Sequence, residues 1–184
     1  MLSTSITTNA PRVWIGCLNC YNKGFLVGDW FDATYAADVT VTDAHWQWGE
    51  SQDAFCEELW IFDHDNLPVK GEMSPYEAQP WADAYNELDS DHLWPAYCAW
   101  VESGSYTEDS DGVGSVSDFL EAYQGLWTSF RDFADAFIES TGMLTGVSED
   151  VARYFDYTSF ASDLEYDYTV QDAPDSGVYV FRNN

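Results

Sequence analysis

Lysine and arginine are almost missing from this chain: six in 184 residues, only Lys23 and Lys70 being lysine, against 33 Asp and Glu, for a formal net charge of -27. That scarcity excludes an ordinary nucleic-acid binder, whose affinity comes from Lys and Arg displacing phosphate counterions. Cationic surfaces, metal ions and water remain as partners. No apolar run approaches the ~18 residues of a membrane-spanning helix, so no membrane partner is expected. Residues 1–11 are rich in Ser and Thr and lack both the basic region and the apolar core of a secretory signal, which points to a cytoplasmic protein. The four cysteines, Cys17, Cys20, Cys56 and Cys98, are too few for a disulfide scaffold at this length and fit a reducing compartment. No GxSxG, HExxH, P-loop or GxGxxG pattern occurs, so no catalytic residue is singled out.

What is abundant is aromatic: 9 Trp, 12 Tyr and 11 Phe, 17% of the chain. A highly charged chain without such residues stays unfolded, because it cannot bury enough surface to offset ordering. This one has its anchors, so it folds and carries its charge on a built surface.

Periodicity points to an α+β class. Arg12 to Asn19 and Phe25 to Ala33 read as strands joined at an Asn22-Lys23-Gly24 turn, with a third strand at Glu57 to Asp65. Asp38 to Gly49 holds one short helix. Ser74-Pro75 caps a helix over Tyr76 to Leu88, and Asp91 to Glu102 follows as another, interrupted or kinked at Pro95. Ser117 caps a helix to Gln124, with Gly125 as its stop. Thr128 or Ser129 starts a better one, in which Phe130, Phe133, Ala134, Phe137 and Ile138 form an apolar stripe and Gly142 is the end. Two short helices, Ser148 to Tyr154 and Asp156 to Leu164, precede a closing strand pair at Tyr166 to Gln171 and Gly177 to Arg182. Met1 to Pro11 reads as a loose leader, and 104–115 as a glycine-rich boundary. Three small units result: an α+β unit at 1–66, a mainly helical one at 67–115 and an α+β one at 116–184. They carry ten, ten and thirteen acids against two, one and three bases, so the charge runs the whole length.

Candidate chemistry is sparse. Paired carboxylates such as Glu57-Glu58 and Glu149-Asp150 occur throughout and mark no acid/base pair. Cys17 and Cys20 have zinc spacing, and His45, His64 and Cys56 are conceivable completions. A regular strand would put Cys17 and Cys20 on opposite faces, so buried structural cysteines and no metal are expected. Thr107 to Asp118 is similar to an EF-hand loop, with Asp109, Asp111 and Gly112 at positions three, five and six but Thr107 at one and Asp118 at twelve; a flexible acidic linker is preferred over calcium binding. The acid excess itself has two readings. One is a structural or halophilic surface, which the scarcity of lysine fits. The other is a phosphate-like array: at one charge per ~1.7 Å of duplex, this net charge matches roughly 45 Å of DNA.

Several ordered motifs choose between them. Tyr21 to Ala33 (YNKGFLVGDWFDA), Glu58 to Asp63 (ELWIFD), Phe119 to Gly125 (FLEAYQG), the acidic helix Phe130 to Gly142, Tyr154 to Leu164 (YFDYTSFASDL) and Val178 to Arg182 (VYVFR) together resemble the ArdA antirestriction family. The resemblance is strongest at 21–33 and 119–164 and weak through 34–55 and 67–115. It implies an elongated row of three small domains that mimics bent B-form DNA and occupies the DNA-binding groove of type I restriction-modification enzymes. It further implies a homodimer joined through the C-terminal domain, no cofactor, no catalysis and no nucleic-acid partner. The family's antirestriction motif falls on the acidic helix and the acids before it. The residues carried over as partner-binding surface are Asp118, Glu121, Asp132, Asp135, Glu139, Glu149 and Asp150. Phe155, Tyr157, Phe160 and Tyr166 are candidate dimer contacts, with core packing an alternative role for some.

Overall fold

Alternation of β-branched and aromatic residues at the start of the chain gives a strand whose inward face is entirely buried. β1 (Arg12–Cys17) sends Val13, Ile15 and Cys17 into a core, while Trp14 faces the other way against Phe62, ring centroids 5.9 Å apart. A computed structural model describes residues 9–48, 55–108, 110 and 112–183 of the chain. Helix and strand are mixed, with two three-stranded antiparallel sheets, as the α+β expectation has it. Residue contacts divide the chain into two units, Met1–Cys98 with Thr107–Val116 and Ala99–Tyr106 with Ser117–Asn184.

In the first unit β1 lies between its partners. After it comes a single helical turn, α1 (Leu18–Asn22), then β2 (Gly28–Asp32), which pairs antiparallel with β1 as the expected hairpin. A capping box between Thr40 and Asp43 starts α2 (Val41–Ala44), the short helix foreseen within 38–49. β3 (Leu59–Asp65) closes the sheet on the other edge of β1. Ser74 and Glu77 form a second capping box at a 3-10 turn with Pro75 at its first position, which runs into α3 (Gln79–Leu88). α4 (Trp94–Glu102) follows, with Trp94–Cys98 counted in this unit and Ala99–Glu102 in the second. Pro95 does not kink it: the helix begins at Trp94, so the proline stands in the first turn, where its missing N–H has no partner to lose. Trp94 is buried, stacks on Tyr97 at 5.1 Å, and donates its indole N–H to the Asn66 carbonyl at 2.7 Å. Buried Tyr97 donates its hydroxyl to the Gly114 carbonyl at 2.5 Å. The leader is less loose than expected where it is described. Pro11 is fully buried and accepts from the Ala33 amide at 3.0 Å, and Asn9 reaches the Asp91 carbonyl at 3.1 Å.

The second unit contains the larger correction. α5 (Val116–Ala122) ends three residues before Gly125, and Tyr123–Trp127 is a strand, β4. Gly125 is no helix stop. Its φ of 111° sits where the β4 register shifts, a bulge that an L side chain would strain. α6 (Phe130–Thr141) has the expected bounds: the Ser129 hydroxyl caps it by accepting from the Asp132 amide, and Gly142, at φ 63°, ends it in the left-handed region. α7 (Glu149–Ala152) and α8 (Tyr157–Leu164) follow, then β5 (Tyr168–Asp172) and β6 (Val178–Arg182). The strand order is β4-β6-β5, so the chain's last strand is the centre of the sheet. Tyr179, Val180 and Phe181 on it are buried. The Phe181 ring lies 6.2 Å from Phe119 and 5.8 Å from Tyr123. Phe133 from α6 meets Tyr168 edge-on at 4.9 Å and Trp127 at 5.5 Å.

Candidate functional site

Every described Asp and Glu is solvent-exposed apart from Asp29, Asp91 and Asp135, which are half-buried. His45 is the buried charged or polar side chain among the described residues. The negative charge is therefore a surface property of both units. β3 carries Asp63 and Asp65, α3 carries Asp83 and Glu87, and α6 carries Asp132, Asp135 and Glu139.

On α6 the buried residues are Phe133, Ala134 and Ile138. Asp132, Asp135 and Glu139 stand three and then four residues apart, which puts them on one face at 3.6 residues per turn. Their surroundings differ. Asp132 belongs to the first turn and receives the Ser129 hydroxyl at 2.8 Å, so it supports the helix as well as the surface. Asp135 takes the Arg131 guanidinium at 2.8 Å, with both side chains near two-fifths exposed. Arg131 also reaches the Thr158 hydroxyl at 3.1 Å and lies 5.7 Å over the Tyr157 ring. Glu139 is exposed beside a cleft of about 340 Å³ whose lining includes Asp135, Thr145 and Tyr157. Asp118 and Glu121 are exposed on α5, and Glu149 and Asp150 on the first turn of α7.

The sequence list omitted Asp156. It caps α8, accepting from the Thr158 and Ser159 amides at 3.1 and 3.0 Å and from the Ser159 hydroxyl at 2.8 Å. The amide and hydroxyl of Ser159 hold its carboxyl below the usual range, with smaller help from the Thr158 amide and Arg131. An N-cap signal, Asp before Tyr-Thr-Ser-Phe, was there to find it. Of the four dimer candidates, three pack inside the unit. Phe155 is 4.8 Å from Tyr157 and 5.7 Å from Phe160, and Phe160 stacks on Phe137 at 6.4 Å. Tyr166 is 85% exposed and Tyr154 86%, as are substantial parts of Val151 and Met143.

The first unit brings together four residues that the sequence left scattered. Cys17, Cys20, His45 and Cys56 place one ligand atom each within 4.8 Å of all the others. The expectation of opposite faces for Cys17 and Cys20 fails because the strand stops at Cys17. The helical turn from Leu18 curls Cys20 back beside it. The Leu18 amide donates to the Glu58 carbonyl at 3.0 Å, which draws Cys56 in from the start of β3, and His45 arrives as the C-cap of α2. Burial, then hydrogen bonds to Cys17 and Cys56, push the Cys20 thiol up to about 12. His64, weighed as a further ligand, is not in the cluster, and Cys98 stands apart on α4. Asp109 and Asp111 of the EF-hand-like loop lie outside the described residues.

No helix among the described residues is long and apolar enough to cross a membrane. The first unit holds a cleft of about 480 Å³ whose lining includes Asp83 and Glu87 with alanines, Tyr76 and Ser115, and pairs no nucleophile with a base. The family model for antirestriction protein (ArdA) matches residues 13–179, and the chain belongs to that family. A search of curated proteins returns no match.

Proposed function

We propose that this protein inhibits type I restriction-modification enzymes as a stand-in for B-form DNA, filling their DNA-binding groove and using no catalytic residue or cofactor to do so. Membership of the antirestriction family carries the reading. The exposed acids on both units, against six bases in the whole chain, support it, because a groove built for phosphates is lined with cations. Asp118, Glu121, Asp132, Asp135, Glu139, Glu149 and Asp150 are the proposed contact acids, with Asp156 added. The place of action is the cytoplasm, where restriction enzymes meet incoming DNA.

An elongated row of three units, with the first contact unit subdivided near residue 66, belongs to the same proposal, and small-angle scattering tests it. So does a homodimer through the C-terminal unit, with Tyr166 as its most exposed candidate contact. Sedimentation of Tyr166→Asp against the parent chain tests that step.

The experiment for inhibition is cleavage of unmodified DNA by a type I enzyme with increasing amounts of the chain. Protection is expected, and it should weaken when Asp132, Asp135 and Glu139 are neutralised together. A folded chain that fails to protect at large excess refutes the proposal. A chain that unfolds at low salt and does not protect favours the halophilic reading, to which the scarcity of lysine also points.

A further inference from the structure

From the geometry of the cysteine-histidine cluster we infer that the first unit holds a structural Zn2+, ligated by the Sγ atoms of Cys17, Cys20 and Cys56 and by Nε2 of His45. Around a tetrahedral zinc with ordinary bond lengths, sulfur atoms stand ~3.8 Å apart and sulfur stands ~3.6 Å from imidazole nitrogen. Here Cys20 Sγ is 3.7 Å from Cys56 Sγ and 3.5 Å from His45 Nε2. A disulfide would need the sulfurs at ~2.05 Å, so the cysteines are grouped at a ligand spacing and not a bonding one. None of the four cysteines is in a disulfide.

Two further contacts suit a metal site. His45 Nδ1 donates to the Val41 carbonyl at 2.7 Å, which fixes the tautomer that leaves Nε2 as a lone-pair donor toward the sulfurs. The Asn19 side-chain amide donates to Cys56 Sγ at 3.5 Å, as a second-shell donor to a thiolate would. His45 is 3% exposed and Cys17 1%, while Cys20 and Cys56 are half-buried. On binding, the three thiols release their protons to solvent, and Zn2+ with three thiolates and a neutral imidazole leaves one net negative charge. Four protein ligands close the coordination sphere, which makes the ion structural and not catalytic. Its work is to join the end of β1, the α1 turn, the end of α2 and the approach to β3. The expectation of no metal, drawn from a single Cys pair, is replaced by this site.

The test uses the full chain, purified without chelator. Metal analysis should find about one zinc per chain. Cys98→Ser should keep it, and Cys20→Ser should lose at least about nine-tenths of it. Because Cys20→Ser is also expected to fold poorly, a second arm uses His45→Cys, which keeps four ligands. That variant should retain zinc, and after cobalt exchange it should show a tetrahedral thiolate spectrum shifted from that of the parent chain. Zinc well below stoichiometry together with no tetrahedral cobalt spectrum overturns the inference. So does zinc that is equally abundant in the parent chain and Cys20→Ser, since the ion would then sit on the acidic surface.

Discussion

Removing a positive charge should strengthen the proposed inhibition. Arg131 is one of six bases and stands on the face that carries Asp132, Asp135 and Glu139, where it pairs with Asp135 at 2.8 Å. If the acids meet a cationic groove, Arg131 both screens Asp135 and repels the partner. In Arg131→Gln the net charge goes from -27 to -28 and Asp135 is left unscreened. Exposed charges of this kind are worth about 0.2–1 kcal/mol, so inhibition should tighten by roughly 1.5- to 5-fold. Folding should suffer little. The pair contributes about 0.3–0.5 kcal/mol and the contact with Tyr157 about 0.5–1 kcal/mol. Part of this returns, because a cation in the first turn opposes the α6 macrodipole, an effect of about 0.3–1 kcal/mol. The assay is inhibition of a type I enzyme at low and moderate salt, with thermal unfolding of both chains as a control. A folded Arg131→Gln that inhibits less well at low salt would refute the reasoning, since it would make Arg131 a contact and not a screen.

Acid should loosen α8 late. The Asp156 carboxyl is held below its usual range, so its contribution is present above the unfolded carboxylate value near 3.9 and is lost as pH falls through the lower folded value. Asp156→Asn should keep a cap yet flatten that acid limb, which circular dichroism against pH would show. Phe181→Ala, at a fully buried position in the central strand, should cost about 3–5 kcal/mol in denaturant unfolding, enough to unfold a marginal chain. Gly125→Ala should cost about 1–3 kcal/mol because alanine cannot adopt φ 111° without strain, and a neutral result would mean the bulge relaxes.

Local signals were legible and long-range ones were not. α6 could be read to within a residue from a capping Thr128 or Ser129, an apolar stripe and a terminal Gly142, because all three act within a few residues. β4 was missed for the opposite reason. Tyr123–Trp127 contains a glycine, follows directly on a helix, and becomes a strand only by pairing with β6 at the far end of the chain. The cysteine-histidine cluster shows both effects. The Cys17–Cys20 spacing is visible in the sequence, but its phase depended on where β1 ends. His45 and Cys56 join only through the packing of α2 and β3 against β1. For the acids, composition already required exposure. It gave no sign that Asp132 accepts from the capping Ser129, that Asp135 is paired, or that Asp156 shares the same arginine.

Displacement of DNA tests the inhibitor reading most directly. A labelled duplex bound to a type I restriction-modification enzyme is titrated with the purified chain, and the titration is repeated across ionic strengths. The expected result is competitive release, with an affinity that falls steeply and linearly in log salt, as the screening of many modest charge contacts requires. Folded chain that leaves the duplex bound, or that releases it with no dependence on salt, would contradict DNA mimicry; the second outcome would place the binding energy in an apolar hot spot.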